Sequence, residues 1–274
     1  MSGMRMIAPR EPNRKESGAP GGVRLRTRSG KDVPEDPVEF CRTRLGFELD
    51  PRQVELLRGP LHRTIWNCGR QMGKSTMAAA LALHRALRAP GSLVLIVSPS
   101  GRQSRELLRK VKGMVRRLKM RVRGDGDNEI SLLLPGGSRI VGIPGREDTV
   151  RGFSSVNLVI YEEASRIPKD LYLATRPMTA AVNGDLLLIS TPYGKQGFLW
   201  EEWSRPGERW TKFLVKTEES PRISREFLDE EREVLGEEFY AQEYECVFTE
   251  TAHGVFDIEA LLAGVDRGVK AWVF

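Results

Sequence analysis

Residues 64–87, TIWNCGRQMGKSTMAAALALHRAL, combine residue types that bind phosphates with a spacing that suits them. Phosphate-binding loops read G-x-x-x-x-G-K-[ST] between a strand and a helix. Here an apolar run leads into GKS (73–75), and an Ala- and Leu-rich run typical of a helix follows. Cys68 takes the place of the first glycine, and Gly69 follows one position late. Because a bare GKS also arises by chance, the placement between strand and helix is what favours a nucleotide site.

Each residue of this turn has an expected role. Backbone N–H groups of the turn and of the helix start would hold phosphate oxygens, where the helix dipole favours negative charge. Gly73 lets the backbone approach closely, Lys74 would reach the terminal phosphates, and the Ser75 hydroxyl would bind Mg²⁺. The implied cofactors are ATP and Mg²⁺. The predicted nucleotide-binding residues of the turn are Gly69, Arg70, Gln71, Met72, Gly73, Lys74, Ser75 and Thr76.

Such a turn also requires carboxylates at the end of a second buried strand. The sequence LVIYEEA places Glu162 and Glu163 directly after an apolar run. Glu162 would bind the metal, and Glu163 would orient or deprotonate the attacking water. Adjacent acids also begin solvated helices, but the apolar run and the phosphate-binding turn together favour the catalytic interpretation.

A third element is LLLISTP, in which Ser190 and Thr191 end an apolar run before Pro192. Hydroxyl groups there could sense the terminal phosphate and couple its presence to movement. A strand that ends in a Pro-marked turn explains the same residues almost as well.

Short apolar runs that alternate with helical patterns predict an α/β fold with a mainly parallel sheet. The predicted strands are 63–68, 93–98, 158–162, 185–190 and 209–216. The predicted helices are 74–88, 103–120, 168–178 and 224–246. Residues 129–143 flank Pro-Gly-Gly and predict an antiparallel hairpin added to this sheet.

Composition narrows the class of protein. A chain of 274 residues with 40% hydrophobic residues can form one large domain with appendages or two small ones. It has no apolar run near the roughly 20 residues of a membrane span, so no membrane partner is expected. Three dispersed cysteines predict a reducing compartment. The net charge of +6 permits a polyanionic partner, although residues 1–36 read as a flexible basic tail that carries much of the excess.

The RQ-x-GKS turn (70–75), the acidic pair at 162–163 and the STP turn (190–192) together resemble the ATPase motor of terminase large subunits, the DNA-packaging enzymes of tailed bacteriophages. The family commonly has an altered loop with Arg-Gln before the final GK. The resemblance covers about residues 37–250 and implies a P-loop NTPase fold of the RecA-like/ASCE type. It implies a ring of copies that translocates double-stranded DNA into a procapsid in the host cytoplasm. A portal and a small terminase subunit are the implied partners.

The resemblance also suggests individual roles. Arg70 is similar to the family's arginine near the phosphates. Arg151, in TVRGF, is the candidate for a finger that reaches a neighbouring subunit's ATP, with Arg146 in reserve. Gln53, in FELDPRQVELL, is similar to the glutamine that offers a donor and an acceptor to adenine. A surface-loop arginine and a polar residue on a first helical turn are the alternatives.

Two departures from the family pattern affect these expectations. Glu162 stands where Asp is more usual, so the metal shell can differ in detail. The family's nuclease domain would follow the ATPase domain, and residues 251–274 resemble a linker toward it. Asp266 is a single acid and no nuclease site, so we expect no nuclease activity from this chain. A helicase-like DNA-stimulated ATPase and a nucleotide-dependent assembly module are the alternative functions.

A basic helical pattern at 102–123 carries apolar residues at helical spacing and arginines around the rest. Arg102, Arg105 and Arg109 could contact DNA phosphates without reading sequence. A solvated helix face explains the same pattern equally well.

Overall fold

The apolar runs of the sequence form the strands of one mixed sheet. The structure is a computed structural model that describes residues 33–120, 122–124, 130–145, 150 and 152–250. Its strands are β1 (Arg63–Cys68), β2 (Leu93–Ser98), β3 (Arg123–Gly124), β4 (Ser131–Leu133), β5 (Arg139–Pro144), β6 (Leu158–Glu162), β7 (Asp185–Ser190) and β8 (Thr211–Val215). The five strands predicted from apolar runs are confirmed. Predictions for residues 1–32 and 251–274, for Arg146 and for Arg151 lie outside the described residues.

The strand order is β3-β4-β5-β2-β6-β7-β1-β8. The six strands from β5 to β8 in this order run parallel, and β3 and β4 are antiparallel to their neighbours. Every residue of β6 is buried, as expected for a central strand covered on both faces. The mainly parallel α/β sheet is confirmed.

The predicted hairpin exists, but it is not wholly an addition to the sheet. β4 and β5 pair antiparallel, with Leu132 opposite Ile140. β5 also pairs parallel with β2, so it is a regular member of the parallel sheet, and the antiparallel addition is β4 with β3. A Pro-Gly-Gly turn specifies a local reversal, whereas the neighbour on the far side of a strand depends on packing.

The helices of the described residues include the four that the sequence predicted. They are α1 (Pro37–Thr43), α2 (Pro51–Arg58), α3 (Lys74–Arg88), α4 (Gly101–Arg117), α5 (Lys169–Thr175), α6 (Gly197–Ser204) and α7 (Arg225–Tyr244). α3 matches its prediction at both ends. The pattern at 168–178 is split, because α5 passes into a 3-10 helix at Arg176–Val182 that carries a proline at its start. α7 is interrupted at Gly236, whose φ is 75°.

Two hydrophobic cores cover the two faces of the sheet. The first four helices pack on one face against residues such as Ile96 and Ile160, and α5 and α6 pack on the other against Leu95 and Val159. Alternate strand residues therefore enter opposite cores. The carboxyl ends of the parallel strands share one edge, where α/β folds place their ligands. None of the described helices is both long and apolar enough to cross a membrane.

Candidate functional site

The turn between β1 and α3 has a strained backbone. Gly73, just before α3, has a φ of 76°, and Gln71 has a φ of 63°. Glycine accepts this left-handed conformation freely, whereas a residue with a Cβ loses roughly 1–2 kcal/mol there. A Cβ built on Gly73 would lie only 2.9 Å from Gln53 Nε2. The turn therefore favours glycine at 73 for its conformation, and a Cβ there would also displace the Gln53 amide.

The turn leaves a run of amide groups open. The N–H groups of residues 71–75 make no hydrogen bond within the described chain. By contrast, Gly69 N donates to Val215 O and Arg70 N donates to Glu243 O, each at 2.9 Å. Thr76 N donates to Gly73 O at 3.0 Å. Unbonded N–H groups at a helix start can bind an anion. Gln71, Gly73, Lys74 and Ser75 are at least partly exposed, whereas Met72 is fully buried.

Lys74 lies over the start of the turn. Its Nζ donates to Cys68 O at 2.9 Å and to Gly69 O at 2.8 Å, which leaves one of its three N–H donors. Cys68 is fully buried in the core. Burial raises the pKa of its thiol to about 12, so the side chain stays neutral. A cysteine is tolerated at the first loop position because its side chain faces the core.

The acidic pair meets the turn at Ser75. Ser75 Oγ donates to Glu162 Oε1 at 2.6 Å, and Ser98 Oγ donates to Glu162 Oε2 at 3.4 Å. Burial raises the pKa of the Glu162 carboxyl, while the Ser75 hydrogen bond opposes that shift. A hydroxyl and a carboxylate are the hard oxygen ligands that Mg²⁺ prefers. Ser75 and Glu162 could therefore hold this ion together.

Glu163 turns the chain out of β6. Its φ of 55° and ψ of 48° lie in the left-handed region, and it precedes a short 3-10 helix at Ala164–Arg166. Its half-buried side chain makes no hydrogen bond or ion pair with a described residue. Strain of this kind is frequent at functional sites. Unlike Glu162, it keeps its carboxylate open to a ligand or a water.

The hydroxyl at the end of β7 contacts the segment after the acidic pair. Ser190 Oγ lies 2.7 Å from Ser165 Oγ and accepts a hydrogen bond from Ser165 N at 3.2 Å. Ser190 and Thr191 are both buried. A displacement at Glu163 would therefore be transmitted through Ser165 to Ser190 at the end of β7. This is where the sequence predicts coupling residues.

Gln53 already uses both polar ends of its side chain. Its Nε2 donates to Met72 O at 3.0 Å, and its Oε1 accepts from Asp50 N at 3.3 Å in a capping box at the start of α2. Gln53 was predicted to offer these groups to adenine. In this structure the two groups connect α2 to the turn, because an N-cap and a buried carbonyl both need partners, and the contact with adenine stays a prediction.

Arg70 points toward the end of α7. Its Nε donates to Glu243 Oε2 at 2.7 Å, and its carbonyl accepts from Thr217 Oγ1 at 2.9 Å. Gln242 connects this pair to the loop after β7, since its Oε1 accepts from Gly194 N at 3.0 Å and its Nε2 donates to Glu243 Oε1 at 3.3 Å. This series of hydrogen bonds from Arg70 to Gly194 links the turn after β1 to the loop that follows the STP motif.

Several of these contact residues escaped the sequence reasoning. They are Asp50, Ser98, Ser165, Gln242 and Glu243. Asp50 carried a readable signal, because Asp-Pro-x-Gln is a capping-box pattern. The partners of Arg70 carried none, since Glu243 lies 173 positions from it in the chain.

Comparison with known families identifies the fold. A family model described as "Terminase large subunit, T4likevirus-type, N-terminal" matches residues 65–263. The chain belongs to this family. The terminase large subunit of Escherichia phage T5 is 25% identical over 214 residues, which covers 74% of this chain and 48% of that protein. The chain spans less than half the length of the curated relatives it matches.

Solved terminase structures have the same fold. The large terminase ATPase domain of Thermus phage P74-26 matches with a TM-score of 0.68 at 24% identity, over 77% of this chain and 98% of that one. The large terminase of a thermophilic bacteriophage, solved in complex with ADP, matches with a TM-score of 0.62 at 12% identity, over 74% of this chain and 54% of that one. The predicted RecA-like/ASCE fold is thereby confirmed.

Proposed function

We propose that this chain is the ATPase domain of a phage DNA-packaging motor, which hydrolyses ATP with Mg²⁺ to move double-stranded DNA into a procapsid in the host cytoplasm. The observation that carries the proposal is the 2.6 Å contact between Ser75 and Glu162, beside the open N–H groups of residues 71–75. The large terminase of the thermophilic bacteriophage, which shares this fold, has been solved with ADP and with ATP-gamma-S.

The residues divide the work of hydrolysis. The N–H groups at 71–75 and Lys74 hold the phosphates, and Ser75 and Glu162 hold the metal. Mg²⁺, when bound, supplies positive charge that offsets the charge on the phosphate oxygens. Glu163 accepts a hydrogen bond from the attacking water and takes its proton, which its open carboxylate permits. Ser190 and Thr191 pass the change toward the rest of the chain.

Arginines complete the charge stabilisation. Arg151 is the proposed finger, supplied to the site of a neighbouring copy in a ring, and Arg146 is the reserve. Arg70 is the proposed arginine of the loop itself, once it leaves Glu243. A portal and a small terminase subunit are the proposed partners.

Turnover against protein concentration tests this function. We expect ATP hydrolysis per chain to rise steeply with protein concentration and to rise further with duplex DNA, because a finger from a neighbour requires assembly. Rates strictly proportional to protein would place the catalytic arginine within one chain. Binding of Mg-ATP without turnover at any concentration would favour the assembly module instead.

The exposed arginines of α4 are the proposed DNA contact. Arg102, Arg105 and Arg109 are exposed on α4, which begins after β2 at the same edge of the sheet as the turn. Arg109 pairs with Glu106 at 2.8 Å, an exposed contact that DNA phosphates can replace. A motor that must pass any sequence should contact the backbone of DNA.

Reversing charge on α4 should weaken DNA binding and reduce its salt dependence. For the double variant Arg102→Glu/Arg105→Glu, we expect the slope of log affinity against log salt to fall by about 2, since each lost phosphate contact removes about 0.9. Fluorescence anisotropy on a duplex measures this slope. The matched control, Arg209→Glu/Arg225→Glu, changes the same net charge at exposed positions elsewhere. An unchanged slope, or an equal fall in the control, would mean that α4 does not contact DNA and has a structural role only.

A further inference from the structure

An arginine lies beside the phosphate-binding turn on the loop between β8 and α7. A Cβ built on Gly73 would lie 3.8 Å from both terminal nitrogens of Arg222. The end of the guanidinium group therefore faces the turn. The Arg222 side chain is 50% exposed, so the group borders both the turn and the solvent.

A buried carboxylate fixes this guanidinium group. Asp50 Oδ2 accepts from Arg222 Nη2 at 3.2 Å, and Asp50 Oδ1 accepts from Gln53 N at 2.8 Å. The Asp50 side chain is only 4% exposed. Both oxygens are thus engaged, one as the cap of α2 and one as the anchor of the arginine. Asp50 uses one of the five N–H donors of Arg222.

The strand order shows which end of a nucleotide Arg222 would meet. Glu162 marks the metal, and hence the terminal phosphates, on the side of β1 where β7 and β6 lie. Arg222 follows β8, on the opposite side of β1. α2 lies on that side too, since Arg52 Nη2 donates to Leu214 O at 3.2 Å. A nucleotide with its terminal phosphates near Glu162 would carry its nucleoside across the turn toward Arg222.

We propose that Arg222 contacts the nucleoside end of the bound nucleotide, with its guanidinium plane against the face of the base. The inference rests on the proposed nucleotide-binding function and assigns a further residue to it. Arginine suits this position because its planar, weakly hydrated group stacks on aromatic rings. Every base has such a face, so this contact holds adenine and guanine alike. Gln53, the residue predicted to contact adenine, lies beside Arg222, since both side chains approach the Cβ position of Gly73.

Two ligands separate this role from phosphate binding. Calorimetric titration of Arg222→Ala with ATP and with tripolyphosphate, each with Mg²⁺, compares a ligand that has a nucleoside with one that lacks it. We expect ATP affinity to fall about tenfold, and GTP affinity by a similar factor, because base stacking is lost. Tripolyphosphate affinity should be unchanged. Arg222→Lys keeps the charge but not the plane, and should resemble Arg222→Ala.

The controls make each outcome decisive. Arg225→Ala removes an exposed arginine three positions away and should leave all three affinities unchanged. Thermal melting of each variant confirms that it is folded. Equal losses for ATP and tripolyphosphate would overturn the base contact in favour of a phosphate contact, and no loss would leave Arg222 as a partner of Asp50 only. If the unaltered chain bound neither ligand, the nucleotide-binding function itself would fail, which is distinguishable from a failure at Arg222.

Discussion

Glu163→Gln should abolish most ATP turnover while ATP binding persists. The amide keeps the shape of the side chain but cannot accept a proton from water, and general-base catalysis is worth about 10²- to 10⁴-fold. ATP affinity should stay within about twofold, because the Glu163 side chain makes no hydrogen bond to the turn at residues 71–75 or to the Ser75–Glu162 pair. Steady-state phosphate release and calorimetric titration measure the two quantities separately.

The structure offers a matched control for this substitution. Glu230→Gln makes the same chemical change at an exposed position on α7 and should leave turnover unaffected. Loss of ATP binding together with turnover would mean that Glu163 supports the fold of the site. Turnover equal to that of the unaltered chain would exclude Glu163 as the base and favour a nucleotide-dependent assembly module.

The backbone at Glu163 explains why a carboxylate can stay open here. Glu162 continues β6 and sends its side chain toward Ser75 and Ser98, whereas the left-handed conformation at Glu163 redirects the chain. Two neighbouring acids thereby acquire different surroundings. One is buried against hydroxyl groups and the other is half-buried without a partner among the described residues. The left-handed conformation at Glu163 costs about 1–2 kcal/mol. This cost accompanies the different surroundings of the two carboxylates.

The fold was readable from the sequence because its signals are local. β1 and α3 were predicted to the residue, since an apolar strand, a Gly-bearing turn and an Ala-rich helix follow each other directly. The pairing of β5 with β2 was not readable. Nothing within a strand specifies which segment, tens of residues away, lies beside it.

The site was readable in its residues but not in all of its contacts. Motif spacing brought Ser75 and Glu162 together correctly, because the carboxyl ends of parallel strands meet at one edge. Gly69 has another explanation. A Cβ there would lie 2.2 Å from Thr217 Oγ1 and 2.8 Å from Tyr244 O, so the misplaced glycine serves close packing against the segment around α7. That packing joins residues far apart in the chain, which no local pattern reports.

Further hydrogen bonds connect the turn after β1 to the end of the described chain. Asn67 Nδ2 donates to Cys246 O at 3.0 Å, and Lys195 N donates to Thr249 O at 2.8 Å. Together with the Arg70–Glu243 pair, these bonds tie residues 243–249 to the turn and to the loop after β7. A change at either motif would therefore act on this segment, which leads toward residues 251–274.

Glu162→Gln should stabilise the nucleotide-free protein. It should also remove the part of the ATP-induced stabilisation that depends on Mg²⁺. The Glu162 carboxylate is buried, which raises its pKa, and the charge of Glu163 adds to this while Lys110 opposes it. In the folded state the charged form is therefore disfavoured. The pKa of the Glu162 carboxyl is higher in the folded state than in the unfolded state. The unaltered protein therefore loses stability relative to the variant as the pH rises through the range between these two values. At pH 7 we expect the variant to gain on the order of 1 kcal/mol, and near pH 4 or below the gain should largely vanish.

Two measurements test the expected gain in stability and the expected loss of metal binding in Glu162→Gln. Urea denaturation at pH 4 and pH 7 gives the free energy of unfolding of both proteins. The melting temperature with ATP, with and without Mg²⁺, shows whether the metal adds to nucleotide binding. The Mg²⁺-dependent increase should disappear in Glu162→Gln but persist in Glu163→Gln, which removes the neighbouring charge and keeps the metal ligand. A variant less stable at pH 7 would mean that Ser75 and Ser98 fully compensate the buried charge, and a retained Mg²⁺-dependent increase would place the ion away from Glu162.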